Sequence, residues 1–238
     1  MRPCKVLDTL SGSQKGARVL QVYIDFKSPY AFVALRPCWQ LEEQYGIAIE
    51  WLPLTLNIAS YLGTAKLDAK GKVAASNRSP RQWQAVRYAY MDARRYAASQ
   101  GLVLRGTEKI WDSSIAAIGL LWASDKAAGR KALRKYMTLV FDQFWKRELD
   151  IENPAVVESV LREADVPVLG FFDYLNRVGR RRHDRLQQDI LDAGCFGVPT
   201  FCINGETYFG RENLPMVRWH LEGEPGRMPH RAYDTVLS

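Results

Sequence analysis

Two proline-bearing turns hold the residues best suited to chemistry: "DFKSPYAF", starting at Asp25, and "FGVPTFCINGE", starting at Phe196. In the first, Ser28 puts a hydroxyl where a helical pattern begins. A serine there caps the helix by accepting a first-turn N–H, and Pro29 suits the first helical position because its missing N–H has no partner to lose. In the second, Pro199 stands where a strand begins. A central strand needs every backbone N–H, so a proline fits at its first residue. A cis Val198–Pro199 bond is expected, with the Val198 backbone facing Ser28 across a cleft.

The other reactive side chains exclude more than they suggest. Cys4, Cys38, Cys195 and Cys202 form no C-x-x-C and have no metal-ligand spacing. His183, His220 and His230 form no pair with catalytic or metal spacing. No metal is expected, and free thiols point to a reducing compartment, the cytoplasm by default.

These turns need elements to hold them. "VLQVYIDF" (19–26) reads as a buried strand, 28–46 as a helix with Pro37 inside it, and 47–54 as a second strand. A right-handed crossover makes these two strands parallel. From about 60 to 190 the pattern is helical, with segments 79–101, 112–126, 130–147, 154–164 and 171–193 divided by Pro and Gly. "TFCING" and "ETYFG" form a hairpin about Asn204-Gly205, and 211–223 is a closing helix. The order β-α-β, helical block, α-β-β-α is that of an α/β thioredoxin-type fold with a large α-helical insertion. The boundaries follow: a disordered tail 1–18, the halves of the fold at 19–59 and 191–225, the insertion 60–190, and a tail 226–238.

Of the 238 residues, 47% are hydrophobic and 25% charged, a balance that can build a core. The first eighteen lack the apolar stretch of a secretory signal. The longest apolar run, 115–123, is too short to span a bilayer. The net charge is +7, with basic residues gathered in "RVGRRRHDR" (177–185) and around "SNRSPRQW" (76–83). Such runs are either solvated helix faces or a field that gathers small anions. No nucleic-acid-binding signature accompanies them, and neither nucleic acid nor membrane is expected as a partner.

Three motifs in order carry a family resemblance: Asp25-Phe26-x-Ser28-Pro29-Tyr30, Ser76-Asn77-Arg78, and "GVPTF…YFGRENL" over 197–214. Together they resemble the 2-hydroxychromene-2-carboxylate isomerases and kappa-class glutathione transferases, of the DsbA-like branch of the thioredoxin superfamily. The resemblance covers 19 to about 222. It implies glutathione as cofactor and a small aromatic carboxylate as substrate, with a homodimer as an option. Ser28 would donate a hydrogen bond to the glutathione thiolate, or serve only as the helix cap. Val198 and Pro199 would hold the peptide backbone, Glu212 the γ-glutamyl ammonium, and Arg211 or Asn213 would assist. Glu212 is equally readable as a first-turn acid that stabilises the last helix. Asn77 would contact the substrate, or simply make a turn, and Arg78 and Arg81 would hold its carboxylate. Trp111 and Trp145 would wall the pocket, or belong to the core. The rival outcomes are a transferase that releases the thioether and a non-enzymatic module that binds a peptide in the proline groove. Dithiol exchange through the first turn is excluded, because no cysteine lies in it.

Overall fold

The structure, a computed structural model, describes residues 20–229. The expected tail 1–18, Cys4, Val19 and His230 lie outside the described residues, as does most of the expected C-terminal tail.

Strand β1 (Leu20–Ile24) is buried along its whole length and pairs parallel with β2 (Ile49–Pro53). Helix α1 (Pro29–Tyr45) is the crossover between them; it continues through Pro37 and ends at Gly46, whose φ of 60° is the left-handed conformation that glycine adopts freely. Strand β5 (Thr200–Ile203) runs antiparallel to β1 on its other side, and β6 (Glu206–Phe209) completes a sheet of order β2-β1-β5-β6. The β5–β6 turn has positive φ at both Asn204 (52°) and Gly205 (82°), as a two-residue hairpin of this kind requires. A single 3₁₀ turn (Arg211–Asn213) leads on to the last helix, Leu214–Leu221.

The segment between β2 and β5 is not purely helical, contrary to the sequence expectation for 60–190. After a short helix α2 (Ile58–Leu62), strands β3 (Ala65–Leu67) and β4 (Val73–Ser76) form an antiparallel hairpin. The Asp68 carboxylate makes its turn by accepting the N–H groups of Lys70 (2.8 Å) and Lys72 (2.9 Å). Strands this short, β4 exposed throughout, carry too little apolar alternation to be seen in sequence. The rest is helical: α3 (Pro80–Ser99), α4 (Ser114–Lys126), α5 (Arg130–Trp145), α6 (Pro154–Glu163), α7 (Phe171–Tyr174) and α8 (Arg180–Asp192). A π turn over Leu175–Gly179 joins α7 to α8. The remaining helix, Leu214–Leu221, is α9. Helix α3 starts with a full capping box, in which Ser79 and Gln82 bond each other's backbone N–H groups.

The insertion shares one core with the sheet. Phe32 of α1 stacks on Phe141 and Trp145 of α5, with centroids 5.6 and 6.1 Å away, and Phe26 packs on Phe141 at 4.8 Å. Trp145 is therefore core and not pocket wall. An ion pair with a buried carboxylate and a partly exposed arginine ties the same two helices. Arg134 of α5 donates to Glu42 of α1 at 2.6 and 3.0 Å, and Glu42 also accepts the Ile49 N–H at 2.9 Å. Removing the arginine alone would leave a buried carboxylate without its cation, a change of about 3 kcal/mol. Among the described residues no helix is long and apolar enough to cross a membrane.

Candidate active site

Register brings the two proline turns together. Tyr23 of β1 lies opposite Thr200 of β5 in an antiparallel pair, so the residues before Thr200 stand beside those that follow Ile24. The turn out of β1 closes through the Ser28 N–H, which donates to the Asp25 carbonyl at 2.9 Å. Ser28 is then the N-cap of α1. Its Oγ accepts from the Ala31 N–H at 3.2 Å, and its carbonyl accepts from Phe32 at 3.1 Å. Since Pro29 has no N–H, the Tyr30 N–H is left without an acceptor inside the helix.

Across the cleft the Val198–Pro199 peptide bond is cis. The Val198 carbonyl oxygen stands 3.5 Å from Ser28 Oγ. The loop is braced from both ends: Thr200 Oγ1 donates to the Gly197 carbonyl at 2.7 Å, and the Gly210 N–H donates to the Pro199 carbonyl at 2.9 Å. Both Ser28 and Val198 are buried.

A cavity of about 430 Å³ opens beside Pro29. Ile58, Leu62, Ala65, Leu67, Trp83 and Trp111 give it apolar and aromatic walls; Lys27, Arg78, Arg87, Arg94 and Lys109 give it positive charge against the one carboxylate of Glu108. Lys109 is paired with Glu152 and lies 4.3 Å over the Trp111 ring. Arg78 lies 5.0 Å over the Trp83 ring, and its Nε is buried with no hydrogen-bond partner. Burial pulls the Arg78 guanidinium below its ordinary value. No carboxylate pairs with Arg78 or Arg87 among the described residues. The cavity therefore suits a flat, apolar and negatively charged ligand.

Not every residue expected from the sequence borders this space. Asn77 does not; its Oδ1 accepts from the Thr64 N–H at 2.6 Å and the Thr64 hydroxyl at 3.1 Å, holding the end of the β3–β4 hairpin. Arg81 is exposed and also outside the lining, whereas Trp111 forms part of the wall. Arg211 donates to Asp92 at 2.6 Å, with its guanidinium 3.5 Å over the Tyr96 ring and 5.1 Å from that of Tyr30. Asn213 donates to the Phe209 carbonyl at 2.6 Å and so holds the 3₁₀ turn. Glu212 is exposed, with no cation paired to it among the described residues. His183 is buried between Thr55 and Asp184, and burial pulls its pKa down.

The structure gives partners to residues for which the sequence suggested no role. Tyr30, hydrogen-bonded to Asp92, joins Arg211 in one cluster that links α1, α3 and the last turn. Burial and the Asp92 carboxylate push its pKa up to about 12. Lys27 and Asp25 form a buried ion pair at 2.8 Å directly before Ser28. A lysine and an aspartate two apart within an otherwise apolar turn were the available signal; the Asp92–Arg211 pair, 119 residues apart, had none.

A family model described as a DSBA-like thioredoxin domain matches residues 19–222. The chain belongs to the DsbA-like thioredoxin family. A protein from Pseudomonas putida named 2-hydroxychromene-2-carboxylate isomerase is 26% identical over 223 residues, spanning 91% of this chain and 98% of its own. The solved structure of a 2-hydroxychromene-2-carboxylate isomerase superposes with a TM-score of 0.65 at 21% identity, covering 86% of this chain and 95% of that one. That of a probable DsbA oxidoreductase from Streptomyces coelicolor gives 0.63 at 16% identity, covering 89% and 93%. Two neighbours with different chemistry fit almost equally well, so the shared fold does not choose between them. The side chains at the first turn have to. Cys38, Cys195 and Cys202 are buried, and none lies in that turn.

Proposed function

We propose that this protein is a glutathione-dependent isomerase of the 2-hydroxychromene-2-carboxylate type. The observation that carries the reading is a serine, not a cysteine, at the start of α1, its Oγ facing the Val198 carbonyl beside a cationic aromatic cavity. The P. putida relative, aligned over nearly its full length, bears that name and supports the same choice.

The residues present fit a thiol peptide. The buried Ser28 hydroxyl is one donor for a sulfur anion, and the first-turn N–H groups of α1 add a partial positive charge. The Val198 main chain, held between Gly197 and Pro199, offers itself to an extended peptide as a strand edge would. The exposed carboxylate of Glu212 suits an ammonium. Arg211 and Asn213 are already committed to Asp92 and Phe209, so their contribution is to hold the turn that carries Glu212. Glutathione in this place supplies a thiolate that adds reversibly to a conjugated carbon, so that a former double bond can rotate.

The chain's own residues do the rest. Ser28 favours the ionised thiol, the competent nucleophile. Arg78, which lines the cavity and has no carboxylate partner among the described residues, meets the carboxylate of the substrate. Trp83 and Trp111 flank its rings. The free, buried thiols of Cys38 and Cys195 suit a reducing compartment such as the cytoplasm.

The test is to mix the protein with glutathione and 2-hydroxychromene-2-carboxylate and follow the ultraviolet spectrum together with free glutathione. Isomerisation with glutathione unconsumed is the expected result. Loss of glutathione in step with turnover would make the protein a transferase, and no glutathione binding by calorimetry would end the proposal.

A further inference from the structure

Asp25 and Lys27 flank the turn into α1 with side chains 0% and 5% exposed. The aspartate is saturated. Its Oδ1 accepts from the Lys27 backbone N–H (3.1 Å) and the Ser113 hydroxyl (2.6 Å). Its Oδ2 accepts from the Leu56 N–H and from the Lys27 ammonium, each at 2.8 Å. The lysine is not saturated. An ammonium has three N–H donors. Lys27 gives one to Asp25 and one to Ser113 Oγ at 2.9 Å, and the third has no acceptor among the described residues. The Ser113 hydroxyl cannot help further, since its one proton goes to Asp25.

A buried charged donor left unmet is costly, more so than a neutral one. Lys27 is also one of the residues that border the 430 Å³ cavity, beside Pro29. The cavity is where an acceptor for the third N–H can arrive.

We propose that Lys27 is an anion-binding residue of this cavity, its third N–H donating to an oxyanion of a planar aromatic ligand. Asp25 and Ser113 position it, holding the ammonium in place and offsetting the cost of burying it. Arg78 meets a carboxylate, and Lys27, next to Ser28 in the chain, meets the oxygen nearest the reacting bond. This part rests on the isomerase reading above. There, as the carbon–sulfur bond forms, the electron pair of the substrate's double bond collects on the oxygen conjugated with it. When the carbon–sulfur bond breaks, that pair returns to the double bond. Lys27 stabilises the oxygen's charge through a hydrogen bond, and no proton has to move.

The anion site itself is testable without glutathione. Calorimetric titration with salicylate and with neutral salicylamide compares ligands of one shape and two charges. The wild-type protein should prefer salicylate by about tenfold or more, the worth of one charge-assisted hydrogen bond. The Asp25→Asn/Lys27→Met variant, which removes both charges of the pair, should bind salicylate about tenfold more weakly and salicylamide as before, any preference that remains being that of Arg78. Unchanged salicylate affinity in the variant, or no preference in the wild type, would overturn the assignment. Should the variant not fold, a crystal of the wild type with salicylate decides. An oxygen within about 3.2 Å of Lys27 Nζ is expected, and salicylate seated in the cavity without that contact refutes it. Failure of these titrations with glutathione still bound would leave the cofactor reading standing. Failure of glutathione to bind with the salicylate preference intact would remove only the reaction.

Discussion

Ser28 Oγ lies 3.5 Å from the carbonyl oxygen of Val198, a residue 170 positions later in the chain. That oxygen and the Ala31 N–H, at 3.2 Å, are the contacts of the hydroxyl, so it accepts within its own helix and donates toward the opposite turn. The donor contact is long for an O–H···O bond, so little is lost when the hydroxyl turns to a better acceptor. Ser28 thus serves as cap and donor at once, and the two uses do not compete.

Replacing Ser28 by alanine separates them. Loss of the cap should lower stability by about 1 kcal/mol, read from urea unfolding. Loss of the donor should raise the thiol pKa of bound glutathione by about one to two units, read from thiolate absorbance against pH. A stability change with an unmoved thiolate titration would reduce Ser28 to a cap.

No dithiol chemistry is expected at this turn. Reduction of insulin disulfides with dithiothreitol as electron source should stay at background. The buried position of Cys195 and Cys202 argues the same, and burial pushes the Cys38 thiol up, away from the reactive thiolate. Activity that survived replacement of Cys195 and Cys202 would show that another route exists.

Asn77 offers a contrast between two substitutions. Its Oδ1 is the atom that holds Thr64. Asn77→Asp keeps an acceptor there and should leave substrate KM within about twofold of wild type. Asn77→Ala frees the hairpin that carries Ala65 and Leu67 into the cavity wall, and should raise KM by about fivefold, the loss of one modest hydrogen bond. Equal loss in both variants would instead mean that the amide nitrogen touches the substrate.

Alkaline pH should loosen the cluster about Tyr30. Its phenol has a folded pKa raised to about 12 against an ordinary value of 10.0, so the folded state holds the proton more tightly. The stabilisation is fully present below about pH 10 and is lost as pH rises through 12. Urea midpoints should therefore be level between pH 8 and pH 9 and fall from about pH 10 upward. In Tyr30→Phe that fall should be shallower. An identical slope in the variant would assign the alkaline transition to other tyrosines, such as the fully buried Tyr136, whose pKa burial also raises.

Much of this molecule was legible in its sequence because the signals are local. The Ser28-Pro29 cap, the Gly46 stop, the Asn204-Gly205 hairpin and the helices from α3 onward each depend on residues within one turn of each other. The family motifs mark both proline turns for the same reason. The β3–β4 hairpin was not legible, since seven short-strand residues, mostly exposed, carry no apolar period. Tertiary structure alone decided which side chains are already occupied. Asn77, Arg211 and Asn213 look available in sequence, yet each is spent on a partner that only packing supplies, in Arg211's case Asp92 on a helix of the insertion. Trp111 and Trp145 are alike in sequence, and only the stacking of α5 on α1 sends the second into the core. The reverse holds for Lys27: a lysine reads as solvated until β1 is buried and Ser113 comes down on it from α4's edge. Hydrogen-bond saturation depends on who arrives from elsewhere in the chain, and a linear sequence does not record arrivals.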